Sequence, residues 1–275
     1  MTTHNKDISS IQQQYLGYTN TPALWDNATI HNLHQFTALK YESNPDLFTD
    51  VKIPTRLGKR IEHFVYNDIA KDSNLSLLAQ NLQIQQNNQT IGELDALLMV
   101  NKQPIHLEII YKFYLYDPQL GPQELNCWIG PNRNDSLIQK LDKLKHKQLP
   151  LLHHAETKTY LDKLHLKISD IKQHVLFKAQ LFVPKAFCKS FNLINNACVL
   201  GKYYTKIELF SLADCKFHLP EKLNWLIINI PHHTPWLDLH NFSDGLDTQL
   251  QLHKVPLIWI KHPQGVIERA FVVWW

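Results

Sequence analysis

The stretch IGELDALLMVNKQPIHLEIIYKFYL, Ile91 to Leu115, constrains this chain most, because it reads as two strands of a hairpin with charges among apolar residues. Side chains alternate across a strand, so parity decides which residues share a face. Leu107, Ile109, Tyr111, Phe113 and Leu115 form one apolar face, and His106, Glu108, Ile110, Lys112 and Tyr114 form the other. On the preceding strand Asp95 shares its face with Glu93, Leu97 and Met99. The turn sets the register. A four-residue loop, Asn101–Pro104, places Asp95 opposite Ile110, with Glu108 and Lys112 diagonal to it at about 7–8 Å. Pro104 cannot donate a ladder hydrogen bond, which favours that loop. A two-residue loop places Asp95 directly opposite Glu108, and a three-residue loop sends it to the other face.

Two carboxylates this close repel unless a cation lies between them. A hard divalent ion such as Mg²⁺ or Mn²⁺ suits one or two carboxylates, here Asp95 and Glu108, completed by water and phosphate oxygens. A nearby lysine then stabilises charge that develops in the transition state. The structural alternative is an ion-pair network on a half-exposed sheet face.

The rest of the chain supplies a frame. From Leu57 to Ile69 the apolar residues Leu57, Ile61, Phe64, Val65 and Ile69 fall at helical intervals. A strand over Leu77–Gln85 follows, and QIQQNNQT (Gln83–Thr90) connects it to the hairpin. After a loop, Asp135 or Ser136 caps a helix that carries Leu137, Leu141, Leu144 and Leu149 on one side. HVLFKAQLFVP is a strand ending at Pro184. Residues 1–50 read as irregular to helical, with a short helix in TPALWDNATIHNLHQF. Beyond Pro184, VLGKYYTKIELF, NWLIINI, VPLIWIKH and RAFVVWW read as short strands. The expectation is an α/β fold with a mixed central sheet, residues 1–184 as its core and 185–275 as a smaller β-rich segment packed on it.

Hydrophobic residues at 44% and charged residues at 19% indicate a globular chain. Its longest apolar runs are far short of the roughly 20 residues that cross a bilayer. No basic segment precedes an apolar one at the start, and four scattered cysteines form no C-x-x-C pair, so a reduced, cytoplasmic protein is expected. Residues 137–178 hold nine Lys against four Asp/Glu, a basic stretch suited to phosphates or simply a solvated face. PHHTPWLDLH (Pro231–His240) matches no standard zinc spacing. Trp274 and Trp275 suit core packing or a subunit contact, the latter in a homodimer.

The order helix, three strands, helix, strand, with Asp95 on the second strand and Glu108 plus Lys112 on the third, resembles the PD-(D/E)-x-K nuclease superfamily. The wording LGKRIEHF, GELDALL, HLEIIYKFYL and WIGPNRNDSLIQKL looks like one bacterial domain-of-unknown-function family within it. The resemblance covers roughly residues 50–184. It implies a restriction-endonuclease-like core and Mg²⁺- or Mn²⁺-dependent hydrolysis of phosphodiesters in nucleic acid, here DNA. Asp95 and Glu108 would be the metal ligands, Glu62 on the first helix a supporting acid, and Lys112 the charge stabiliser. Gln148 would contact the nucleic-acid backbone. One departure stands out. The superfamily places its lysine two residues after the acid, where this chain has Ile110; Lys112 lies about 6–7 Å further along the strand. The site is stretched, or Lys140 or another helical lysine supplies the charge, or hydrolysis has been lost. The alternative function is a non-catalytic nucleic-acid-binding or scaffolding protein on a degenerate nuclease fold. Arg133, just before the second helix, offers an anion contact or a loop salt bridge.

Overall fold

The turn between the two hairpin strands holds two residues, Asn101 and Lys102, both with left-handed φ (47° and 70°). Such a turn matches the twist of the strands it joins. In the computed structural model, which describes residues 2–26, 29–41, 53–231 and 233–275, Pro104 therefore lies within the strand, opposite Met99. The four-residue loop is corrected. With Val100 and Gln103 closing the turn, Met99 and Pro104 form a pair that exchanges no hydrogen bonds. The missing N–H of Pro104 costs no bond between these two strands.

The helices are α1 (Thr2–Asn20), α2 (Leu57–Lys71), α3 (Leu137–Lys143), α4 (Ala155–Lys163), α5 (Lys206–Leu209) and α6 (Leu239–Gln251). The strands are β1 (Leu75–Gln86), β2 (Gln89–Val100), β3 (Gln103–Tyr116), β4 (Trp128–Ile129), β5 (Lys172–Pro184), β6 (Val199–Thr205), β7 (Lys216–His218), β8 (Leu257–Lys261) and β9 (Ile267–Val273). The fold is α/β. The strands form one mixed sheet in the order β1-β2-β3-β5-β6-β9-β8-β7, with β4 against the end of β3. β3, β5, β6 and β9 run parallel, and antiparallel hairpins flank them.

Both faces of β3 are covered, as a central strand of a mixed sheet requires. Leu107, Tyr111, Phe113 and Leu115 pack with Ile61, Phe64, Val65 and Ile69 of α2. On the other face Ile110 and Tyr114 pack with Leu137, Leu141 and Leu144 of α3 and the turn after it. The even face of β3 is thus polar only in part: Ile110 and Tyr114 are core, while His106 and Glu108 are polar yet fully buried.

Two further expectations are corrected. The segment 21–36, parts of which are described, forms no helix there. Leu24 N–H donates to Phe177 O and Phe36 N–H to Val175 O, so it satisfies the half of β5 that β6 does not reach. NWLIINI is not a strand: residues Lys222–Leu226 form a 3₁₀ turn against α1, where a Cβ on Gly17 would meet Leu226 O at 1.8 Å. A continuous apolar run marks burial without fixing conformation. Within residues 185–275, β6 to β9 extend the same sheet edge to edge. Among the described residues no helix is long and apolar enough to cross a membrane.

Candidate active site

The ladder between β2 and β3 runs from Val100–Gln103 to Ala96–Leu107 and ends there. Continued by one pair, it sets Asp95 across from Glu108. The next bond would run from Ile109 N–H to the backbone of β2. Instead Asp95 Oδ2 accepts it at 2.8 Å, and the Asp95 carbonyl accepts from the Tyr66 hydroxyl of α2 at 2.7 Å. The strands part at Asp95, and a carboxylate replaces a ladder carbonyl.

Glu108 lies opposite, with no exposed surface. His106 Nε2 sits 3.1 Å from its Oε1, and Gln148 donates to its Oε2. Gln173 reaches the other ring nitrogen of His106 at 3.0 Å, which fits a His106 that donates through Nε2. Lys140 Nζ donates to Gln148 Oε1 at 2.7 Å. A chain of hydrogen bonds therefore joins Lys140, Gln148, Glu108, His106 and Gln173, and its buried polar atoms satisfy one another.

The backbone after α3 makes this arrangement. Residues Leu144–Gln148 form a π-helical turn, in which Leu149 N–H reaches Leu144 O, and a 3₁₀ turn containing Pro150 follows. In an uninterrupted α-helix Lys140 and Gln148 would differ by about 80° around the axis. The wider turn reduces that offset and brings both side chains to the acids.

Electrostatics bind the group together. Burial, then the neighbouring Glu108, push Asp95 up to about 7, against the pull of the Ile109 N–H. Burial pulls Lys140 down to about 8, although both acids oppose the shift. Glu62 is also raised, by burial first, with Glu93 and Glu108 adding to it and Lys59 opposing. Groups shifted toward neutrality in this way collect at reactive sites.

Each expected site residue has a definite place. Asp95, Glu108, Lys140 and Gln148 come together. Glu62 faces them from the α2 side of the sheet, opposite α3, and is bonded to Lys59 at 2.8 Å; Lys59 in turn holds Glu93 of β2 at 2.7 Å. Lys112 does not join the acids: its ammonium lies 2.6 Å from Asp135, the residue before the Ser136 cap of α3. The assignment of the positive charge to Lys112 is corrected, since the helical Lys140 stands beside the acids. Arg133 is committed to Asp117 at 3.0 Å and to the Trp275 ring at 4.3 Å, the salt bridge rather than an open anion contact. His106 and Gln173 escaped the reading; His106 stood on the Glu108 face two residues away. In the His-rich segment Asp238 caps α6, and His232 lies outside the described residues.

Beside this cluster runs a groove of about 640 Å³, lined by Ile109 and Ile110 of β3, the start of α2, the loop before α3 and the 222–225 turn. Arg56, Lys112, Lys140 and Lys222 line it, with Asp135 the acid among them. Among the described residues no three His, Cys, Asp or Glu side chains converge to enclose a metal ion. Asp95 Oδ1, however, carries no bond from the described residues while Oδ2 holds Ile109. Two carboxylates with one open oxygen fit a hydrated hard ion, which needs few protein ligands, and not a closed cage.

A family model described as "Domain of unknown function (DUF1853)" matches residues 9–273, and the chain belongs to that family. No curated protein and no solved structure matches it.

Proposed function

We propose that the chain is a divalent-metal-dependent phosphodiesterase acting on DNA, on a restriction-endonuclease-like core made of α2, β1 to β3, α3 and β5. The observation that carries this reading is the meeting of Asp95 and Glu108 where β2 leaves β3, with Lys140 beside them at the edge of a cationic groove. Asp95 and Glu108 would hold Mg²⁺ or Mn²⁺, which supplies an activated water and polarises the phosphoryl group when bound. Lys140 is set to stabilise charge that develops on the phosphate, in the role first expected of Lys112. Gln148 and His106 fix the orientation of Glu108, and Glu62 adds negative potential from the other side.

A second reading, a non-catalytic nucleic-acid-binding protein, draws support from a specific observation. Both oxygens of Glu108 are already bonded, and Asp95 Oδ2 is held by Ile109, so the acids are largely satisfied without a cation. Incubation with labelled DNA in Mg²⁺ or Mn²⁺ separates the two. Cleavage is expected, together with Mn²⁺ binding by calorimetry, and Asp95→Asn should abolish both. Lys140→Met should slow cleavage by roughly 10²–10³-fold, and Lys112→Met far less. DNA binding without cleavage in either ion would sink the enzymatic reading.

A further inference from the structure

The groove offers an aromatic surface that phosphodiester hydrolysis at Asp95 and Glu108 does not require. Trp225 forms part of its wall and is half-buried. Its ring is fixed edge-on against Phe113 (centroids 5.5 Å, 86°) and Phe271 (5.2 Å, 85°). Its carbonyl accepts from the buried Arg269 guanidinium at 2.5 Å. The Lys222 ammonium stands 5.7 Å over the indole, so one face of the ring is turned to a cation and not to packed core. Both residues belong to the 3₁₀ turn Lys222–Leu226, well outside the nuclease-like segment.

We propose that this groove binds single-stranded DNA in preference to duplex, with Trp225 as the platform on which one unpaired base stacks. The substrate class rests on the phosphodiesterase reading; the strand preference rests on the groove. Arg56, Lys140 and Lys222 follow the sugar-phosphate backbone past the acids, and Trp225 takes a base beyond them. A positive groove with an aromatic face inside it is the arrangement that holds unpaired strands. A duplex keeps its bases stacked and offers only their edges, so an indole in the wall of a pocket this size cannot reach a base face. The volume also falls in the range of pockets that enclose small ligands, about 300–1,000 Å³, and not of surfaces that cradle a duplex.

The test measures fluorescence anisotropy of a labelled thymidine oligomer of about 12 nucleotides and of the matching duplex, in EDTA so that no strand is cut. The single strand should bind more tightly, by roughly 5- to 150-fold. Trp225→Leu should remove a factor of the same size from the single strand and leave the duplex unchanged. Trp225→Tyr, which keeps a π face, should restore most of the affinity. The exposed Lys222→Glu should weaken binding and flatten its salt dependence, and it decides the matter with Trp225→Tyr if Trp225→Leu fails to fold. Equal affinity for the two forms, or a folded Trp225→Leu that binds the single strand as well as wild type, overturns the proposal. Single-strand preference without cleavage would overturn the phosphodiesterase reading alone. Cleavage that depends on Asp95 but prefers duplex would overturn this inference alone.

Discussion

At Asp95 the fold places a carboxylate where a sheet would place a carbonyl, and the consequence is measurable as a pH dependence. Its folded pKa of about 7 lies well above the unfolded value of about 3.9. The protonated form therefore favours the folded chain. That stabilisation is complete below the unfolded value and is lost as pH rises through about 7. In EDTA, Asp95→Asn keeps an acceptor for Ile109 N–H and removes the ionisation. Its melting temperature should exceed that of wild type by a few °C at pH 8.5, on the order expected for 1–2 kcal/mol in a chain of this size. The gap should narrow as pH falls below about 7 and close only below about 4, where both states are protonated. A difference independent of pH would mean that Asp95 ionises without cost and that the acids do not repel. That Asp95 and Glu108 share a face was legible, because parity in a strand is rigid; that they stand directly opposite follows from the two-residue turn, where a four-residue loop was expected. The choice of lysine was not. Sequence distance along β3 favoured Lys112, whereas the deciding contact, Asp135, sits across a loop whose path no periodicity specifies.

Between elements, close approach matters more than pattern. α2, β3 and β5 were readable because each repeats a period over many residues. The turn after α3 was not: the leucines of 137–149 fit a continuous helix, and Pro150 gave the one local hint of a break. That break carries Gln148 to Glu108. Likewise NWLIINI carried the composition of a strand, yet it is held in a 3₁₀ turn by its docking on α1. Gly17 permits this docking, since a Cβ there would sit 1.8 Å from Leu226 O and 2.7 Å from its carbon, backbone atoms that cannot rotate away. Gly17→Ala should thus destabilise the chain by at least ~1–3 kcal/mol, despite the better helix propensity of alanine. A lower denaturant midpoint with an unchanged slope would register it. An unaltered or raised midpoint would show that α1 and the 222–226 turn separate freely. The same variant should disturb the Trp225 face, because that turn carries it.

In the whole molecule the sheet crosses the boundary that composition suggested. The shift to aromatic strands after Pro184 looked like a second unit, but β6 pairs with the end of β5 and with β9 as its other neighbour. Phe182 of β5 meets Phe271 of β9 at 4.7 Å, and Phe113 of β3 meets Phe271 at 6.1 Å. Leu107, Phe113, Leu226, Trp259 and Phe271 belong to a single apolar cluster that also takes in α1 and α2. A cluster shared by both parts of the chain implies one cooperative transition. Tryptophans at positions from 25 to 275 report on both parts of the chain, so unfolding followed by their fluorescence should coincide with unfolding followed by far-UV circular dichroism. A fragment ending at Pro184 would lose the strands that cover this cluster and leave the C-terminal end of β5 as an unpaired edge. It should show no cooperative melt and should aggregate on refolding. A soluble 1–184 fragment with a sharp transition of its own would restore the two-part division. It would also free the Asp95 and Glu108 site from the groove wall that Lys222 and Trp225 supply.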